Sequence, residues 1–142
     1  MKDKNALKYR SDCPVSAALE ILGDRWTLLI VRDILIWSRH EYKAFLESGE
    51  GIATNVLADR LQKLEAHGVI RKVPHATDSR KSEYYLTEKG LDLAPVLFDM
   101  ILWSAKYEET SASPKAVKRI REDRQAFLQE VVAAARKRGS GK

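Results

Sequence analysis

Three groups of residues have types and spacing that could do chemistry. The first is a lone thiol, Cys13, set directly before Pro14 at a helix start. Unpaired backbone N–H groups at such a start favour a thiolate, so Cys13 could sense oxidants or electrophiles. It could equally be a small packing residue. The second group is the polar face of residues 54–67. With Leu57, Leu61 and Leu64 inward at i, i+4 and i+7, a helix turning about 100° per residue points Asn55, Asp59, Gln62 and Ala66 outward, with Lys63 beside them. The third is Arg80-Lys81, at the end of the polar stretch Ala76-Thr77-Asp78-Ser79-Arg80-Lys81.

The second and third groups fit the edges and backbone of duplex DNA. A helix can enter the major groove, where each base pair shows a distinct donor and acceptor pattern. The N-terminal part of such a helix reaches deepest, which favours Thr54, Asn55 and Asp59 for base contacts. Asn55 could make a bidentate contact to adenine, and Gln62 and Lys63 suit phosphate or sugar. Arg80 and Lys81 on a loop would follow the backbone or the adjacent minor groove. Taken singly, each group is also what an ordinary solvated surface offers; their order and close spacing argue for DNA.

Other chemistry is thin. His40, His67 and His75 lie in separate elements without metal-ligand spacing, so no metal is expected. Gly139-Ser140-Gly141-Lys142 imitates the end of a phosphate-binding loop, but Arg136 stands where the first glycine belongs. No serine, histidine and carboxylate group suggests catalysis, so neither an enzyme nor a cofactor is expected. Trp26, Trp37 and Trp103 fall on apolar stripes and read as core residues.

The elements that must position these groups can be read in order. Ser11-Asp12-Cys13-Pro14 starts a first helix with Ala17, Ala18, Ile21 and Leu22 apolar, and Gly23 stops it. Asp24 caps a second, carrying Trp26, Leu29, Ile30, Ile34 and Trp37. Ser38-Arg39-His40-Glu41 reads as a capping box for a short third helix with Tyr42, Phe45 and Leu46. After the turn at Gly49-Glu50-Gly51, a fourth helix runs from Thr54 to His67, and Gly68 suits its C-cap. Val69 to Pro74 and Ser82 to Thr87 then form a hairpin with an exposed basic tip. Thr87 caps a helix with Leu91, Leu93, Leu97, Ile101 and Leu102, in which Pro95 forces a kink or restart. Ser113-Pro114 opens a last helix of about 25 residues, ~37 Å long. Its stripe, Val117, Ile120, Phe127, Val131 and Ala134, needs a partner: a second subunit, or the chain's own domain. The fold class is therefore mainly α with a small β-hairpin, a winged helix-turn-helix with an additional long C-terminal helix. Residues 1–107 form the winged domain, and residues 108–142 read as a dimerisation extension with a basic tail.

Composition agrees without deciding. The chain has 142 residues, 44% apolar and 32% charged, enough for one core. Its longest apolar run is five residues, Val131 to Ala135, far short of the roughly 20 a membrane helix needs. Met1-Lys2-Asp3-Lys4-Asn5 is not followed by the apolar stretch of a secretory signal. With a single cysteine, any disulfide joins two chains or caps the thiol with a small molecule, and the count fits a reducing cytoplasm. The net charge of +5 is unevenly spread, with +2 over residues 53–90 and +6 over residues 114–142.

Cys13-Pro14 followed by Leu22-Gly23-Asp24-Arg25-Trp26-Thr27 resembles the first two helices of HxlR-type regulators. The likeness continues through Gly51-Ile52, Leu57, Arg60-Leu61, Leu64-Glu65 and Gly68-Val69-Ile70-Arg71. It resumes at Glu83-Tyr84, Leu86-Thr87, Gly90, Pro95-Val96-Leu97 and Trp103. The resemblance implies a bacterial winged-helix repressor or activator, homodimeric through its terminal helices. Its recognition helix would be Thr54–His67, its wing Ile70–Thr87, and Cys13 matches a position that some members use as a sensor. Three features depart from the family pattern. Ala53 replaces the usual serine cap, so Thr54 is expected to take over. Asn55 and Gln62 stand where Lys or Arg is common. Asp78-Ser79-Arg80-Lys81 is similar to the wing of MarR-type regulators, where the arginine enters the minor groove.

The expected function is thus a cytoplasmic regulator that binds an inverted repeat as a homodimer, its recognition helices about one DNA turn, ~34 Å, apart. Val117, Ile120, Phe127 and Val131 are the expected dimer contacts. Two rivals stay open: a winged-helix protein-interaction module, and a DNA-binding regulator controlled by a small ligand in the dimer cleft.

Overall fold

The computed structural model describes residues 9–142; the reading of the first five residues lies outside this range. Four helices come first: α1 (Pro14–Leu22), α2 (Thr27–Leu35), α3 (Tyr42–Leu46) and α4 (Thr54–Ala66). The antiparallel hairpin β1 (Ile70–Pro74) and β2 (Ser82–Leu86) follows, with Ile70 opposite Leu86 and Pro74 opposite Ser82. Then come α5 (Glu88–Leu91), α6 (Ala94–Tyr107), α7 (Pro114–Glu122) and α8 (Arg124–Gly139). This is the expected mainly helical architecture with a two-stranded wing.

Local chemistry accounts for most boundaries. Pro14 and Pro114 occupy the first positions of α1 and α7, where a missing N–H costs nothing. Gly68, at φ +71, closes α4 with a paired cap: its amide donates to the Glu65 carbonyl and that of Val69 to the Leu64 carbonyl. The Thr87 hydroxyl accepts from the Gly90 amide and starts α5. Pro95 forces a restart, so the expected single helix is two, α5 and α6.

Two expected caps are not made. The Ser38 box is replaced by extended pairing: the Tyr84 amide donates to the His40 carbonyl, Glu41 bridges Glu83, and α3 starts at Tyr42. Ser38 itself lies at φ +53, a left-handed conformation incompatible with that box. At α4 the N-cap is Ala53, with no side-chain help, and Thr54 is already the first helical residue.

The core joins Ile30, Val31, Ile34 and Leu35 of α2 to Phe45, to Leu57, Leu61 and Leu64 of α4, and to Val69, Ile70, Leu91 and Leu97. Each truncation to alanine in such a cluster costs about 2–5 kcal/mol. Trp26 packs on this core as expected, but Trp37 and Trp103 do not. The Arg32 and Arg39 guanidiniums lie over the Trp37 ring, at 4.1 and 4.7 Å, and leave it still half exposed, and Trp103 is largely exposed beside Tyr107.

The C-terminal residues differ most from expectation. The long helix breaks at Asp123, at φ −140 and ψ 41, and α8 turns back onto α2, α5, α6 and β2. Ile120 is buried, Phe127 packs on Phe98 at 5.1 Å, and Val131 lies against the core. Val117 is half-buried and shares a shallow cleft with Ala105. Three of the four residues expected at a dimer interface, Ile120, Phe127 and Val131, thus pack within their own chain, the break supplying the partner a straight helix would have lacked. Arg124 anchors the returning helix through Asp99, at 3.0 Å, and the Pro95 carbonyl.

Candidate nucleic-acid interface

The inward leucines hold α4 so that Thr54, Asn55, Ala58, Gln62, Lys63 and Ala66 are exposed. Of the five predicted contacts on this helix, Thr54, Asn55, Gln62 and Lys63 are exposed and Asp59 is half-buried. The Asp59 carboxylate accepts from Arg60 and lies 3.5 Å from Lys63. It is therefore a paired group that trims local charge, not an open acceptor for a cytosine amine.

The pairing of Arg60 with Asp24, which the sequence did not indicate, positions the helix. The Arg60 Nε lies 3.0 Å from Asp24 Oδ1, across the α1–α2 turn. Asp24 also accepts from the Trp26 and Thr27 amides at 2.7 and 3.0 Å, and from the Thr27 hydroxyl. One carboxylate thus caps α2 and tethers α4. Burial pushes its pKa up, but the hydrogen bonds from Thr27, Trp26 and Arg60 outweigh this and hold it below the usual value. At the other end of the exposed face the Tyr42 hydroxyl donates to the Thr54 carbonyl at 2.7 Å, fixing the first turn. The only sequence signal for this network was the Gly23-Asp24-Arg25-Trp26 run, whose partner lies 36 residues further on.

In the wing the tip is a closed turn, with the Lys81 amide on the Asp78 carbonyl and the His75 amide on the Lys81 carbonyl, both at 3.0 Å. Asp78 grips Arg80 three times. Its Oδ1 accepts from the Arg80 amide at 3.0 Å and from Nε at 3.1 Å, and its Oδ2 accepts from Nη2 at 3.2 Å. Those bonds hold the Asp78 carboxyl below the usual range. Arg80 is nevertheless 88% exposed, so the aspartate orients the guanidinium without covering it. Lys81 is exposed beside it.

Cys13 is exposed at the N-cap of α1, its amide donating to the Ser11 hydroxyl at 3.1 Å. The histidines serve separate contacts. His40 Nδ1 lies 3.0 Å from the Tyr84 carbonyl, His75 lies 2.9 Å from Glu41, and the His67 carbonyl accepts from Lys89. Among the described residues no cluster of His, Cys, Asp and Glu is arranged to hold a metal, and no helix is long and apolar enough to cross a membrane.

The sequence profile of the HxlR-like helix-turn-helix family matches residues 21–112. An uncharacterized HTH-type transcriptional regulator of Mycobacterium bovis is 37% identical over 93 residues, covering 66% of this chain and 58% of that protein. The chain thus spans less than two thirds of the length of that relative. Among solved structures, the candidate transcription factor PA1607 superposes with a TM-score of 0.65 at 38% identity, over 73% of this chain and 71% of that one. The redox regulator HypR in its oxidized form gives 0.61 at 26%, over 69% of this chain and all of that one. The three are named as a transcriptional regulator, a candidate transcription factor and a redox regulator. The ordered helices, the exposed α4 face and the Asp78–Arg80 wing carry the same assignment as the profile: the chain belongs to the HxlR-like helix-turn-helix family.

Proposed function

We propose that this protein regulates transcription by binding an inverted-repeat DNA site as a homodimer. The observation that carries DNA binding is the pairing of an exposed, uncapped polar helix face (Thr54, Asn55, Gln62, Lys63) with a wing whose Arg80 is aimed by Asp78. Bases are read by Asn55, with Gln62 and Lys63 on the backbone and Arg80 and Lys81 along the adjacent groove.

Support for the dimer comes from exposed apolar side chains on α6 and on α1, the latter a terminal helix as the family resemblance implies. On α6, Val96, Met100, Trp103 and Tyr107 are 39%, 48%, 68% and 62% exposed. Their spacing of four, three and four residues makes a seam suited to a second helix. Val15 and Leu19 add a similar exposed stripe on α1. A second copy covering this seam takes Trp103 and Tyr107, the most exposed aromatic side chains among the described residues, out of water.

Selection of bound duplexes from a random pool tests the reading. Enrichment of an inverted repeat with half-sites about one helical turn apart supports it, and the absence of any enriched repeat overturns it. Arg80→Ala then lowers the slope of log affinity against log salt by about 1.

A second reading adds regulation through Cys13, favoured by the thiol's exposure on α1, two residues from Val15 of the apolar surface. HypR, named as a redox regulator, supports the same direction. Diamide treatment is expected to join two chains through Cys13 and change operator affinity in the wild type and not in Cys13→Ser. Equal responses of both proteins remove this reading.

A further inference from the structure

Arg71 stands on β1 of the wing, where a basic residue would ordinarily be assigned to a phosphate. Its guanidinium is already committed. Nη2 donates to the Gly139 carbonyl, Nη1 donates to the main-chain oxygen of Lys142 at 2.9 Å, and the group lies 5.4 Å from the centre of the Tyr85 ring. The approach is close enough that a Cβ on Gly139 would sit 3.1 Å from Arg71 Nη2 and 3.3 Å from the Tyr85 ring.

The same short segment holds three other elements. Arg138 Nη2 donates to the Leu35 and Ile34 carbonyls at 2.8 and 3.3 Å, closing the end of α2. Arg136 forks onto Glu88 of α5 at 3.0 and 3.2 Å, and Lys142 Nζ lies 3.9 Å from Glu83 of β2. Across the hairpin, the His40 ring stacks on Tyr85 at 4.4 Å, and the Tyr85 hydroxyl donates to Glu83 at 2.9 Å. The base of the wing is therefore clamped between residues 40–41 and residues 136–142.

We propose that residues 136–142 are a strap that sets the angle of the wing against the helix-turn-helix, and that Arg71 is a positioning residue of the DNA interface, acting through the Gly139 carbonyl and not through a phosphate. The inference rests on the DNA-binding reading for its functional half. Its structural half concerns the free protein. The basic tail then serves the interface indirectly: Arg136, Arg138 and Lys142 neutralise or cap groups of their own chain, and the wing presents Arg80 at a defined angle because its base cannot swing. Arginine is required at position 71 because a planar fork reaches two oxygens at once and also lies along an aromatic ring, which a lysine point charge does not do.

The test uses full-length protein with Arg71→Gln, Arg71→Lys, Gly139→Leu and the Arg71→Gln/Gly139→Leu pair. Amide hydrogen exchange of free protein is read over residues 70–86, and affinity for the selected duplex is read across a salt series. The strap predicts about tenfold faster exchange in the hairpin for each single variant, with the helical core of α2 and α4 unchanged. It also predicts weaker DNA binding at an unchanged salt slope, no rescue by Arg71→Lys, and a pair no worse than either single change. A direct phosphate contact predicts the reverse: unchanged exchange, a slope reduced by about 1 in Arg71→Gln, substantial rescue by lysine, and additive effects in the pair. That pattern overturns the proposal. Faster exchange with undiminished affinity overturns the positioning role of Arg71. Failure of the wild type to bind any duplex defeats the DNA reading instead, and the exchange data still decide the strap.

Discussion

Helices α4 and α8 carry similar sequence credentials and do different work. Both have an apolar stripe, an opposite polar face and several cations, and α8 is the more basic of the two. Yet Asn55, Gln62 and Lys63 on α4 are exposed, whereas Arg136 and Arg138 on α8 are held by Glu88 and by the end of α2. Charge density alone would rank α8 as the nucleic-acid element. The distinction lies in what the bonds leave exposed: Arg138 is part-buried against the main-chain carbonyls that end α2, whereas Lys63 and Arg80 keep their side chains in solvent although Asp59 and Asp78 pair with them.

The contrast can be attacked from its largest consequence downward. Ile120→Ala, in the fold-back that carries α8 home, should lower unfolding free energy by about 2–5 kcal/mol in urea titration, without changing the oligomeric state by sedimentation. If instead it dissociated a dimer and left stability intact, α7 would be an interface helix after all. Asp24→Asn weakens both the cap of α2 and the tether to Arg60. A loss of roughly 1–2 kcal/mol is expected, with weaker DNA binding than the stability change alone explains. Undiminished stability would mean that α4 is held by its leucines alone.

The pH dependence of the clamp is a smaller effect. Burial lowers the pKa of His40 below its ordinary value, and the folded protein holds the neutral ring. Above about pH 6.5 both folded and unfolded chains carry it neutral, and its contribution is complete. As pH falls toward the lower folded value, the unfolded chain takes up a proton first, so stability declines. The urea midpoint of the wild type should therefore fall more between pH 7.5 and 5.5 than that of His40→Gln; parallel curves would refute this. Smallest of all, Lys137→Gln removes an exposed charge from the tail and should change stability by less than about 0.5 kcal/mol. A large loss of DNA affinity in that variant would return the tail to the interface.

Much of the fold was legible because its signals are local. Pro14, Gly68, Thr87 and Pro95 each dictate backbone geometry within a few residues, and the leucines of α4 declare which face must be covered. The outward face of α4 and the Asp78-Arg80 turn followed from the same short-range logic. The Ser38 box failed because pairing with residues 83 and 84, more than 40 positions away, outcompeted a local cap. The break at Asp123 has no glycine or proline to announce it. A stripe such as Ile120, Phe127 and Val131 says that burial is needed but not against what.

By itself, then, the sequence determined the order of the first four helices and the hairpin, the inward leucine face of α4 and the polar face opposite it, since these depend on periodicity and on backbone restrictions of single residues. Only the tertiary structure decided that Asp24 tethers Arg60, that Asp59 is spent on its neighbours, that α8 returns to its own core, and that the unmet apolar seam lies on α6. Each of these is a choice among chemically equivalent partners far apart in the chain, and only the packed fold, by setting distances, makes it.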